Sequence, residues 1–251
     1  MIATRFKLWR TLGAAAMIAG CAPGGEAGEQ AAGAPRAASH GEAGESAIGE
    51  GGGESGEAGA ASAYAGLPSA GETALRLQHL KGFLLLAQDF RKTDEAAAAA
   101  LVGQGLLEVY DAKPAAFAGL DVTPIRAAST DLAKLDPALA AIKATEGPAD
   151  SNLVKQMIVI ANGLYAGVLL NGEVDTVEYQ HALGAALAAR DALNRAEPLL
   201  KAKDAARFTQ AKGELDRFIA LWPGPTAPAA PTPIAQVAAQ ASRVELALSG
   251  L

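Results

Sequence analysis

The sequence predicts an all-α protein: an antiparallel helical bundle preceded by a signal peptide and a disordered Gly/Glu-rich tether. Three observations predict it. From Glu72 onward, apolar residues recur three and four apart, the period of a helix with one buried face. Ala and Leu dominate this stretch, and aromatic residues make up only 5% of the chain. Proline, glycine and short polar residues punctuate it at intervals of a helix length, as helix starts and stops do.

Residues 1–20 have the three-part layout of an export signal. Arg5, Lys7 and Arg10 make a positive start, and Leu12 to Ala19 a short apolar run. That run is about half the ~20 residues needed to span a bilayer, so it reads as a cleaved signal and not a lasting transmembrane helix. It ends in Ile18-Ala19-Gly20-Cys21. This segment resembles the lipobox of bacterial lipoproteins. The resemblance implies that Cys21 is lipidated, that the chain is cut before it, and that its partner is a membrane held through a lipid anchor. With Ala22 following, it also implies the outer membrane, with the protein facing the periplasm. Several acyl chains, at ~0.8 kcal/mol per buried CH₂, hold a protein firmly where one would not. Cys21 is the only cysteine. An internal disulfide is therefore excluded, and the anchor accounts for the thiol.

Loss of the three basic signal residues takes the net charge from −6 to −9. Residues 21–71 carry seven Glu and a single Arg, Arg36, with Gly-Glu recurring throughout. Almost nothing there is large and apolar, so burial cannot offset the cost of ordering it. As a flexible coil it would span ~35–42 Å, a spacer between membrane and domain. Beyond it the charges nearly balance, and no basic patch points to nucleic acid.

The helical domain is expected over 72–222. A first helix from about Gly71 to Phe90 carries Leu75, His79, Phe83, Leu86 and Phe90 on one stripe, widened by Leu77, Leu80 and Leu84. A face that wide predicts a central helix. Thr93-Asp94-Glu95 starts a second helix reaching about Tyr110. In it Gly103 and Gly105 read as close helix packing. Thr123-Pro124 and Asp136-Pro137 read as cap-and-proline starts of shorter pieces. Glu146-Gly147-Pro148 is the clearest break. Asp150 or Ser151 then caps a helix to about Leu170, stopped by Asn171-Gly172. Glu173 opens the next, to about Ala196, and Lys203-Asp204 another, with Phe208, Ala211, Leu215, Phe218, Ile219 and Trp222 inward. Residues 223–233, with five prolines, form an extended connector, and 234–251 hold a last helix.

Candidate chemistry is sparse. Glu178 and His181 lie three apart on one helix face, a spacing used for metal in helical bundles. A second Glu-x-x-His, which di-metal sites need, is absent from the sequence. His79 sits on an apolar stripe, and His40 in the tether. No serine has a Gly-x-Ser-x-Gly context, so no catalytic residue is assigned, and no cofactor is expected. A further likeness covers about 72–222. Lys81-Gly82-Phe83-Leu84 and Glu178-Tyr179-Gln180 resemble segments of the imelysin-like, iron-uptake-associated periplasmic lipoproteins. That family's Gly-x-His-x-x-Glu motif does not stand here: Phe and Leu follow Gly82, and His79 precedes it. No binding residue is carried over. The expectation is a lipid-anchored, non-enzymatic binding or scaffold protein whose partner is an envelope protein or small ligand. The alternative is a metal-binding lipoprotein using Glu178, His181 and perhaps His79.

Overall fold

The structure is a computed structural model that describes residues 60–251. The signal, Cys21, His40 and most of the expected tether lie outside the described residues. The described chain is helical apart from loops and one two-stranded hairpin. None of its helices is long and apolar enough to cross a membrane.

Packing begins before Glu72. Residues 60–64 are helical, and Ala60 and Ala63 are buried with the core. Tyr64 and Leu67 pack against it. The end assigned to the tether therefore already belongs to the domain. Helix α1 (Ser69–Phe90) follows. Its expected stripe is buried in full, together with Leu77, Leu80 and Leu84. Helix α2 (Glu95–Gly105) is capped by Asp94, whose carboxylate accepts from the Ala97 N–H at 3.0 Å. It does not run on as α-helix to Tyr110. Leu106–Tyr110 form a π turn, with the Asp111 N–H donating to the Leu106 carbonyl at 2.7 Å.

The short pieces differ from the expected caps. Thr123 is the first residue of α3 (Thr123–Ala128), and its N–H is taken by Asp121 at 3.0 Å. Asp136 caps nothing: it lies inside α4 (Leu135–Thr145) and pairs with Arg91 at 3.0 Å. Asp131 makes the cap instead, on the single 3₁₀ turn that leads into α4. Helix α5 (Ser151–Tyr165) is capped by Asp150 and stops short of Leu170. Leu169–Leu170 and Glu173–Val174 pair as antiparallel strands β1 and β2. Asn171 and Gly172 both have positive φ, 53° and 83°. That matches the two-residue hairpin turn for which Asn-Gly is favoured. The dipeptide that reads as a helix stop is therefore a hairpin tip.

Helix α6 (Thr176–Ile219) joins the two helices expected there. They meet at Asp204, whose backbone leaves the helical region and whose carboxylate caps the Arg207 N–H at 2.9 Å. The proline connector contains no regular helix and leads into α7 (Ile234–Leu248). Two buried tyrosines hold it: Tyr165 donates to the Thr232 carbonyl at 2.9 Å and Tyr179 to that of Gly224 at 2.8 Å. Helix α6 packs on α1, α5 and α7, and α1 packs also on α2.

Helices α1 and α6 approach backbone to backbone at a pair of glycines. A Cβ built on Gly82 would lie 2.6 Å from the Gly184 carbonyl oxygen, and one on Gly184 would lie 3.1 Å from that of Gly82. The helices run antiparallel there, since Gln78 reaches the Ala188 carbonyl while Phe83 reaches His181. Gly105 of α2 is equally committed, because its Cβ would meet Phe83 at 2.8 Å; Gly103 has nothing within 4 Å. Only one of the two α2 glycines is thus a packing residue. Gly82→Ala should destabilise the fold by about 1–3 kcal/mol, the usual cost of forcing a methyl into a packed contact. Gly103→Ala should stabilise it by up to about 1 kcal/mol, the helix penalty of glycine. Urea denaturation of both variants checks the pair, and equal effects would refute it.

Candidate functional site

The crossing of α1 and α6 sets up a half-open cavity of about 770 Å³ at one flank. Its wall brings together His79 from α1, Glu108 from the π turn, and Asp175, Glu178 and His181 from the start of α6. Tyr64 and Arg76 close another side. Of the residues singled out in the sequence, His79, Glu178 and His181 therefore share one cavity.

Local structure explains each placement. Asp175 caps α6 by accepting from the Val177 and Glu178 N–H groups at 2.9 and 3.1 Å. This fixes the first turn and points Glu178 and His181 along one face. The π turn adds a residue to the α2 spiral, a device common at functional sites. It sets Glu108 Oε2 3.4 Å from His181 Nδ1, while His181 Nε2 lies 3.3 Å from Gln104 Oε1. His79 Nδ1 is 2.6 Å from the Tyr64 hydroxyl. Its Nε2 is buried with no hydrogen-bond partner among the described residues.

The rings of Tyr64, His79, Phe83 and His181 follow one another, with centroids 6.2, 5.5 and 4.8 Å apart. The phenyl ring of Phe83 thus stands between the two imidazoles. Burial in this apolar setting pushes both histidines down, His79 to about 3, with further lowering from His181 and Arg76, and His181 to about 4, against a small upward pull from Asp175. Both rings are neutral at neutral pH. Among the described residues Arg76 is the one cation in the wall. Its guanidinium pairs with Glu72 at 2.8 Å and lies 4.1 Å over the Tyr64 ring.

Another face of α1 carries a buried polar clamp. Lys81 Nζ reaches Glu146 at 2.8 Å and Asp191 at 2.7 Å, while Arg195 reaches Asp191 at 3.2 Å and the Gly147 carbonyl at 3.0 Å. Gln78 donates to the Ala188 carbonyl at 2.7 Å. Burial alone would raise the Asp191 carboxyl, but the hydrogen bonds and charges of Lys81, Gln78 and Arg195 outweigh it and hold it below its ordinary range. The clamp ties the Glu146-Gly147 break to both α1 and α6, so the cavity wall is built on a braced pair of helices.

Tyr64, Glu108 and Arg76 were not singled out by the sequence reading, and neither was the meeting of the two histidines. A signal for that meeting exists. Gln78-His79-x-x-Gly82-x-x-Leu85-x-Ala87-x-Asp89 recurs as Gln180-His181-x-x-Gly184-x-x-Leu187-x-Ala189-x-Asp191. The repeated glycines are the ones in mutual contact, so the two copies cross at equivalent positions, as about a local two-fold. Ala185 takes the place of Phe83 in the second copy, which leaves one ring between the imidazoles and not two.

Among the described residues no group of three His, Cys, Asp or Glu side chains is placed to hold a metal ion. Comparison with protein-family models, curated proteins and solved structures finds no significant match.

Neutral buried histidines have a signature in stability. Below about pH 6.5 the unfolded chain binds a proton on each ring, but the folded chain does so only near pH 4 and 3. Folding stability should therefore fall with pH across 6.5 to 5, by up to about 1.4 kcal/mol per unit per ring. Paired carboxylates such as Asp191 lose their contribution only below that window. Denaturation midpoints at pH 7 and pH 5 check this, and a flat profile would show the rings to be already protonated or solvated.

Proposed function

We propose that this protein is a lipid-anchored binding protein of the bacterial cell envelope. It faces the periplasm, takes a small ligand into the cavity between α1 and α6, and performs no reaction on it. The observation that carries the reading is the arrival of two neutral imidazoles, from the two copies of one Gln-His-x-x-Gly element, in a single half-open cavity. Ligand pockets are usually concave, largely apolar and furnished with a few directed polar groups, and this one fits that description. The lipobox-like segment ending at Cys21 supports the anchor, and the Gly/Glu-rich stretch after it supports a spacer that lets the domain search for its ligand.

A chemically varied set of small molecules, screened by thermal shift on the full chain in detergent, tests the ligand reading. At least one class should raise the melting temperature of the wild type. The rise should vanish when the cavity is filled by Ala112→Trp, whose side chain replaces a small wall residue. No shift from any class would remove the reading. Stabilisation by iron or zinc alone would favour metal delivery through Glu178 and His181 instead.

The anchor has its own test. Cys21→Ser should abolish labelling by a radioactive fatty acid and release the protein from the membrane fraction. Wild-type protein found unlabelled in the soluble periplasmic fraction would count against lipidation.

A further inference from the structure

We propose that the cavity selects a singly charged organic cation, a protonated amine on a compact apolar body, with its ammonium group at the Glu108–Asp175 end and its body against Leu107 and Val177. This rests on the ligand-binding reading and names the class of ligand.

The wall is polarised along its length. At one end Arg76 pairs with Glu72 and covers the Tyr64 ring, so its charge is already answered there. At the other end the π turn and the first turn of α6 bring acids to His181. Glu108 Oε2 lies 3.4 Å from His181 Nδ1, and Asp175 is close enough to act on the charge of the same ring. The rings of His79 and Phe83 stand between the two ends. Burial keeps His181 neutral at neutral pH, so it does not cancel the acids beside it. This end therefore repels an anion and attracts a cation.

Access separates the groups that can touch a ligand from those that cannot. Glu108 leaves 31% of its side-chain surface exposed, and Asp175 is half-buried. Both cap bonds of Asp175 fall on Oδ1, and a carboxylate accepts at about four positions. Glu178 is different. Its carboxyl carbon lies 3.5 Å from where a Cβ on Gly167 would stand, and the residue is buried. It is packed against the end of α5 and is assigned no contact. His79 Nε2 is buried as well, so that ring is wall and not a ligand partner.

Apolar surface is offered beside the accessible acids. Leu107 is 68% exposed and Val177 41%, and both line the cavity. Leu107 precedes Glu108, and Val177 stands between Asp175 and Glu178. A bare cation would leave those side chains wet, and among the described residues no three ligating groups are placed to hold a metal. An amine on an apolar body covers them. Taking its ammonium group out of water is costly unless charge-assisted hydrogen bonds replace the hydration. Glu108 and Asp175 supply the acceptors.

The test is calorimetry at neutral pH on the full chain in non-ionic detergent, with three probes that share one phenyl skeleton. 2-Phenylethylamine is the cation, 2-phenylethanol the neutral analogue and 3-phenylpropanoate the anion. The amine should bind with a Kd on the order of 1 mM or tighter, as befits a fragment of this size. It should bind at least about ten-fold more tightly than the other two, since charge-assisted bonds are roughly twice as strong as neutral ones. Two variants locate the charge. Glu108→Gln keeps the shape of a partly exposed side chain, and Asp175→Asn keeps a good helix cap. Each should weaken the amine by about three-fold, the scale of a partly exposed ion pair, and leave 2-phenylethanol unchanged. The comparison between probes in the wild type stands even if a variant fails to fold. Equal or tighter binding of the alcohol or the propanoate would overturn the assignment of ligand class yet leave a binding cavity in place. An amine preference that survives both substitutions would overturn it too, by placing the charge elsewhere. If none of the three binds while another class gives a cavity-dependent thermal shift, this inference fails alone. If nothing binds at all, both fail.

Discussion

The bundle depends on one close approach. Gly82 and Gly184 let the backbones of α1 and α6 touch, with each glycine facing the carbonyl of the other. No side chain larger than hydrogen permits that distance without displacing backbone. The approach brings Phe83 of α1 within 4.8 Å of His181 of α6, and so decides that the two histidines flank one ring. It also brings Lys81 to Asp191 and Gln78 to the Ala188 carbonyl, which closes the polar clamp. Buried ion pairs are weak evidence for stability, but breaking one from a single side is costly. The clamp is satisfied only where Lys81 meets both Glu146 and Asp191, so it fits the same alignment of α1 on α6 that the two glycines set.

Much of the architecture was legible in the residues. The wide stripe of α1 announced a central helix because Leu75, Leu80 and Leu84 leave no solvent face on its middle turns. Asp94, Asp150 and the Lys203-Asp204 start were readable because a short acceptor before a helix satisfies N–H groups that the helix cannot. The misreadings have physical causes. Asn171-Gly172 favours positive φ, a need shared by helix ends and hairpin tips, and only the pairing of Leu169–Leu170 with Glu173–Val174 separates the two. Asp136-Pro137 looks like a helix start, but Asp131 had already supplied the cap, and an aspartate in the first turn suits the helix dipole as well. The π turn was hidden because it extends no local preference and shows only in the backbone hydrogen bonds of the folded chain.

The site was legible in pieces and not as a site. His79, Glu178 and His181 each stood out by type, and Glu178 with His181 by spacing. Their convergence depends on which helices cross and where, which single-helix periodicity does not encode. The repeated Gln-His-x-x-Gly does encode it, since matching glycines on two helices mark a crossing and the residue three positions earlier then lies beside it. Glu108 remained hidden, because its reach to His181 depends on the extra residue of the π turn. Tyr64 lay in a segment whose Gly/Glu composition reads as unstructured.

The repeat is unequal in one respect. The position matching Lys81 is Leu183, so the clamp exists in one copy only. Asp191 is gripped from two sides, whereas its counterpart Asp89 is raised above its ordinary range by burial, eased only by the charge of Arg190. The α1–α6 pair is thus tied by charged groups in one copy of the element and not in the other. Lys81 therefore carries a constraint for which the second copy, with Leu183 in its place, holds no substitute.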